Sequence, residues 1–387
     1  MQNLKILELN DLIYEPTNSK ILEDGSFTWK APSNIALVKY WGKRKDQIPE
    51  NPSISFTLSN CFTETTLEFR KSESVEEVLE PNEDDELSSR VRSKTFKVEV
   101  FLDGEKKPEF KEKIQIFLKR TINLISFISD YDLIIKTHNS FPHSSGIASS
   151  ASGMSALALC IMSMEKALNP DLSDELFCKK ASFLARLGSG SAARSIEGPL
   201  VVWGAHDKIN DSSDFFGVKF SEPIHQNFKN YQDTILLVDK GEKQVSSTVG
   251  HNLMNGHPFA QQRFVQANEN MIKISEALTS GDLKSFISIV ESEALTLHSM
   301  MMTSHPYFIL MKPNTLQIIN KIWAYRKRTN SNICFTLDAG ANVHVLFPEK
   351  EKETANKFIV SELLPFCQNN HYISDSVGLG ATQIDAK

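Results

Sequence analysis

No two cysteines in this chain stand at redox or metal-ligand spacing. The five that occur, Cys61, Cys160, Cys178, Cys334 and Cys367, are scattered and odd in number. That pattern argues against a disulfide framework and a zinc knuckle and fits reduced thiols. HExxH is missing, and His298 with His305 lacks metal-ligand company, so no metal-binding side-chain set is expected. Apolar runs near 18 residues are lacking, which excludes a membrane-spanning helix. The opening stretch MQNLKILELNDLIYEP has neither the basic start nor the apolar run of a secretory signal, so a cytoplasmic protein is expected. A basic excess is also missing. The 42 Lys and Arg face 48 Asp and Glu, for a net charge of −6, which argues against a general nucleic-acid binder. A local basic cleft for a small phosphorylated ligand remains compatible with that balance. Internal repeats and regular strand–helix alternation are absent too, which favours α+β layers over a doubly wound sheet.

What is present reads as mixed strands and helices. SNIALVKYWGK (33–43) is strand-like between Pro32 and Gly42, and SISFTL (53–58) and TETTLEF (63–69) read as two strands around a turn at Ser59-Asn60. Residues 71–94 are acidic and turn-rich, a solvated excursion. FKVEVFL (96–102) alternates like a strand, and apolar residues from Lys111 to Ser129 recur on one helical face. YDLIIKTHN (131–139) is a strand and SGMSALALCIMSMEKAL (152–168) a helix stopped by Asn169-Pro170. PLVVW (199–203) and DTILLVD (233–239) read as buried strands. Residues 258–282 and 283–302 read as helices divided at Gly281, with Met301 and Met302 in the core, and a third helix runs from about Asn314 to Arg328. NICFTLDAGANVHVLFP (332–348) is strand, turn, strand.

Four stretches carry the chemistry. THNSFPHSSGIASSASG (137–153) holds six serines and two glycines between a strand and a helix. Its small residues let backbone amides converge on a helix start, where the dipole favours an anion. It is not the GxxxxGK[ST] loop, and a serine-rich turn without ligand is the alternative. RLGSGSAARS (186–195) adds an open glycine turn followed by Arg194, whose guanidinium either grips a carboxylate or phosphate or forms an ordinary ion pair. VKYWGKR (38–44) places three cations and two aromatic rings beside a glycine turn: neutralisers of a polyphosphate, or a solvated strand end. LDAGAN (337–342) sets an acid at the end of an apolar strand, either capping a turn or aimed as a base into a cleft.

Together these stretches resemble one family. PHSSGIASSAS is similar to the phosphate-binding loop of the GHMP kinase superfamily. APSNIALVKYWGKR, NSFPHSSGIASSASG, GSGSAARS, VSSTVG and LDAGAN follow in the order seen in diphosphomevalonate decarboxylases, with VGLGATQ at 377–383 closing the match. The resemblance implies a two-lobed α+β GHMP-kinase-type fold with a deep cleft. One lobe would span 1–205 and hold the phosphate loop; the other, 206–387, would carry the catalytic aspartate. It implies ATP-dependent decarboxylation of mevalonate 5-diphosphate to isopentenyl diphosphate, with Mg2+, in a homodimer that needs neither nucleic acid nor membrane. Residue by residue, Asp338 matches the catalytic aspartate, Lys39 the lysine beside it, and Arg194 the arginine that holds the substrate carboxylate. Tyr40, Lys43, Ser189 and Ser191 match the diphosphate pocket. Ser246 or Ser247, with Lys243, would reach the phosphates from a loop, and Ser144, Ser145, Gly146, Ser149 and Ser150 would cradle ATP and magnesium. Pro52, Ala193 and Pro199 depart from the family pattern without removing a group the chemistry needs. Sister activities, a mevalonate 5-phosphate decarboxylase or a mevalonate 3-kinase, are the near alternatives, and a non-catalytic binding protein the distant one.

Overall fold

A computed structural model describes residues 12–16, 21–73, 77–79, 92–94, 96–142, 147–241 and 247–386. The chain opens with two long strands, β1 (Asp24–Val38) and β2 (Ser53–Lys71). The hairpin β3 (Glu77–Leu79) and β4 (Arg92–Lys94) lies in the acidic excursion. Then come β5 (Val98–Leu102), β6 (Glu105–Lys106), α1 (Pro108–Thr121) and β7 (Tyr131–Asn139). Two helices follow, α2 (Ser149–Leu168) and α3 (Asp174–Gly188), and then β8 (Leu200–Trp203) and β9 (Val218–Lys219). The second half contains β10 (Gln232–Leu236), α4 (Ser247–Asn252), α5 (Ala260–Ser280), α6 (Leu283–Met302), α7 (Pro313–Thr329), β11 (Cys334–Thr336), β12 (Val343–Phe347), α8 (Lys352–Phe358), β13 (Tyr372–Ser376) and β14 (Thr382–Ala386).

The larger sheet runs β14-β1-β2-β7-β5-β6, with β8 also on β2 and β9 on β8; among the described residues only the β5–β7 pairing is parallel. A second antiparallel sheet runs β11-β12-β10-β13. The fold is α+β, as expected. Helix α2 is apolar almost all round and is buried accordingly, packed between the larger sheet and α3 in a core with Leu67, Phe117 and Ile135. Among the described residues no helix is long and apolar enough to cross a membrane.

Several expectations are corrected. The first strand begins at Asp24 and ends at Val38; Pro32 lies inside it, because the β1–β2 ladder shifts register between Pro32 and Asn34 where proline has no N–H to give. Ser59-Asn60 is no hairpin turn but part of the continuous β2. Pro32 pairs with Phe62 and Asn34 with Thr57, so residues 58–61 bulge opposite Ser33. Asp375 stabilises that bulge by accepting from the N–H groups of Ser59 (2.9 Å), Asn60 (2.8 Å) and Cys61 (2.7 Å). α1 stops at Thr121, and Ile125 and Ile128, expected on its face, join the same core from a loop and a 3-10 turn. Met302 is 39% exposed while Met301 is buried.

Candidate active site

β1 delivers the chain into the space between the two sheets. Just past its end, Lys39–Lys43 turns at Gly42, whose φ of 96° suits glycine. The Lys39 ammonium donates to Asp338 Oδ1 at 2.8 Å. Asp338 stands in the turn after β11, on the opposite half of the molecule. The lysine side chain is 2% exposed and the carboxylate 27%, so the acid alone of the two is reachable from solvent. His298, on α6, donates from Nε2 to the Asp338 carbonyl at 3.2 Å, which fixes that nitrogen as the protonated one. Burial, with Lys39 nearby, pulls His298 down to about 4, so its ring is neutral at neutral pH.

α3 ends at Gly188 and runs into the 3-10 turn Gly190–Arg194. The buried Arg194 guanidinium donates to Ser53 Oγ and to Asn34 Oδ1 (3.4 Å) and lies 5.6 Å from the Trp203 ring centre. Burial lowers it to about 10, against the attraction of Asp338 and Tyr40, so it stays charged at neutral pH. Gly190 lets this turn approach Tyr40: a Cβ there would sit 2.8 Å from the Tyr40 hydroxyl. That hydroxyl is buried and has no hydrogen-bond partner among the described residues. A buried donor without a partner is costly, and one lining a cleft is suited to a ligand oxygen.

α2 begins after Ala148, and its first residues Ser149 and Ser150 face the same cleft; the Ser150 and Ser189 hydroxyls are 3.3 Å apart. The unpaired amides of this helix start carry partial positive charge. The cleft, about 710 Å³, is lined by Lys39, Tyr40, Lys43, Ser149, Ser150, Ser189, Ser191, Arg194 and Asp338, nine of the residues singled out in the sequence. Ser144, Ser145, Gly146, Lys243 and Ser246 lie outside the described residues, and Ser247 begins α4.

Among the basic lining residues, three escape the sequence reading: Lys113 and Arg120 on α1 and His251 on α4; His298, read in the sequence only as lacking metal-ligand company, stands behind Asp338. Lys113 and Arg120 are seven positions apart, two turns of one helix, and that spacing was their only signal. Lys43 donates to Gln47 Oε1 at 2.9 Å, and burial and Arg120 lower its ammonium from the usual lysine value. His251 accepts the Gly42 N–H at 3.0 Å and lies between the Tyr40 and Trp41 rings, at 4.3 and 4.5 Å.

The donor set fits an anion-rich, polyphosphate-bearing guest. Five cations, serine hydroxyls, a helix start and an orphan phenol surround one carboxylate. Among the described residues no group of three or more His, Cys, Asp or Glu is arranged for a metal, so a divalent ion here would be held largely by phosphate oxygens. A phosphate-seating helix start opposite an acid–lysine pair, in a two-lobed α+β frame, is the GHMP-kinase type of architecture.

Comparison with known proteins narrows this class. Residues 31–214 match the diphosphomevalonate decarboxylase-like N-terminal domain and residues 234–384 the mevalonate 5-diphosphate decarboxylase C-terminal domain. The chain is 28% identical to a diphosphomevalonate decarboxylase of Ganoderma lucidum, over 93% of this chain and 87% of that one. Its structure is similar to that of mevalonate diphosphate decarboxylase from Staphylococcus aureus, with a TM-score of 0.76, 27% identity, and 94% and 98% of the two chains covered. It is equally similar to MDDEF in complex with MVAPP, AMPPCP and magnesium, with a TM-score of 0.76, 27% identity, and 94% and 99% covered. The chain belongs to the diphosphomevalonate decarboxylase family of the GHMP kinase superfamily.

Proposed function

We propose that this protein converts mevalonate 5-diphosphate and ATP to isopentenyl diphosphate, ADP, phosphate and carbon dioxide. The observation that carries the reading is the Lys39–Asp338 pair, 2.8 Å apart at the floor of a cationic cleft. The substrate's tertiary C3 hydroxyl is a poor leaving group, and transfer of the γ-phosphoryl group of ATP makes it a good one. Asp338 takes the hydroxyl proton. Lys39, in contact with that carboxylate at 2.8 Å, orients it for the transfer. Arg194 holds the substrate carboxylate. When phosphate departs, positive charge grows at C3, the C1–C2 bond breaks, and its electrons form the new double bond as carbon dioxide leaves. Arg194, anchored by Ser53 and Asn34, is fixed in place for that step.

Tyr40, Lys43, Ser189 and Ser191, joined by Lys113 and Arg120, bind the substrate diphosphate. Ser149, Ser150 and the start of α2 bind the ATP phosphates, with Ser144, Ser145, Gly146 and Lys243 completing the cradle, and Ser246 or Ser247 binds the substrate, as the resemblance implies. Mg2+ would neutralise ATP phosphate charge beside the serine hydroxyls. The complex of the related MDDEF with MVAPP, AMPPCP and magnesium supports this assignment of ligands. The same reading includes a homodimer, a cytoplasmic location, which free cysteines support, and a lobe boundary near residue 205, just after β8.

The test offers ATP and magnesium with mevalonate, its 5-phosphate and its 5-diphosphate separately, and records ADP and carbon dioxide. Both products with the diphosphate alone are expected, and Asp338→Asn should lower their rate by about 10²- to 10⁴-fold. ADP without carbon dioxide would make the protein a kinase, both products from the monophosphate would make it the sister decarboxylase, and silence with all three would make it a binding protein.

A further inference from the structure

Lys39 is the first residue beyond β1, so its buried N–H and C=O have left the sheet ladder and need other partners. An ion pair from the second half of the chain supplies them. Glu293 Oε2, on α6, accepts the Lys39 N–H at 2.8 Å, and Arg263 Nη2, on α5, donates to the Lys39 carbonyl at 2.9 Å. The two side chains grip each other at two points, Nη1–Oε1 at 3.0 Å and Nη2–Oε2 at 2.6 Å, and both are 0% exposed. Asn270 donates to Glu293 Oε1 at 2.6 Å, and Asn51 donates to the Lys39 carbonyl at 2.9 Å. Five residues further along α6, His298 holds the Asp338 carbonyl. One helix thus fixes the backbone at both ends of the 2.8 Å lysine–aspartate contact.

A fully buried ion pair is a poor stabiliser, since well-packed apolar residues of similar volume commonly serve the fold as well. Here Arg263 also leaves its Nε without a partner among the described residues. The arrangement therefore has a use other than packing. We infer that Glu293 and Arg263 are positioning residues that hold Lys39 against Asp338, an inference that rests on the proposed roles of those two residues. A shift of about 1 Å in a reacting group lowers rate by about 10²-fold, which is the sensitivity such a clamp would guard.

The test compares two double variants of the full chain. R263M/E293L replaces the pair by apolar groups; R263Q/E293Q removes both charges but keeps an acceptor for the Lys39 N–H and a donor for its carbonyl. The expected result for R263M/E293L is a kcat about 10²-fold down, with KM for ATP and for mevalonate 5-diphosphate within about twofold and a cooperative melt retained. R263Q/E293Q should recover most of that loss. If R263M/E293L does not fold, R263Q/E293M is judged by the same criteria. A wild-type kcat in the apolar variant overturns the inference, as does a fall in kcat and melting temperature that runs parallel with a rise in both KM values. Asp338→Asn on the same substrates separates the two ideas: full activity there sinks the catalytic reading itself, whereas its inactivity beside an unaffected apolar variant sinks only the clamp.

Discussion

At the scale of single residues, Lys43 and Gly190 make the sharpest tests of the cleft. Burial and Arg120 favour the neutral form of Lys43, so it sheds its proton at a lower pH than an ordinary lysine. Only the ammonium attracts a diphosphate. The specificity constant kcat/KM should therefore hold below the lowered pKa and fall as pH rises through it, earlier than an unperturbed lysine would allow. In Lys43→Arg the guanidinium keeps its charge, and the alkaline limb should move up; an unmoved limb assigns it to another group. Gly190→Ala would push a methyl to within 2.8 Å of the Tyr40 hydroxyl and 2.9 Å of Trp203. The expected result is a raised KM for the diphosphate substrate and a loss of about 1–3 kcal/mol in urea unfolding. The sequence showed Asp338, Lys39 and Arg194 as residue types in telling surroundings. It left open whether Asp338 caps a turn or faces a cleft, because that depends on Lys39, an ordinary strand-end lysine until the fold brings it across.

Elements whose local pattern and tertiary surroundings agree were legible. β7 occupies the expected Tyr131–Asn139, and α5 and α6 divide at Gly281, which adopts φ 83° as a helix-ending glycine does. β2 was misread because Ser-Asn is ordinary turn chemistry, and the counterweight lies far away in sequence. Asp375 accepts four backbone N–H groups, those of Ser59, Asn60 and Cys61 and its neighbour Ser376. Asp375→Ala should leave these amides unpaired and cost about 2–4 kcal/mol in urea unfolding, while the apolar core stays intact. α3 went unread although Ser173 caps it by accepting the Leu176 N–H. Lys113 and Arg120 were hidden for a different reason: a basic stripe on an amphipathic helix looks the same whether it meets solvent or a ligand.

For the whole molecule, the chain does not keep its halves apart. β9 and β14, both from the second half, complete the first sheet, and β14 covers the edge of β1 along Phe27–Lys30. A chain ending at Ala381 should expose that edge, lowering the melting temperature and raising light scattering as uncovered edges pair between molecules. The β14–β1 pairing also orders events in time. Ser59 in β2 waits for Asp375, 316 positions later, and the edge of β1 waits for residues made later still. A ribosome that has released the complete phosphate-binding half has not yet released the strand that finishes its sheet. Pairings this distant make folding slow compared with local helix formation, and a half-made chain carries an open sheet edge in the meantime. The nascent protein is thus exposed to aggregation along the β1 edge until β14 has emerged to cover it.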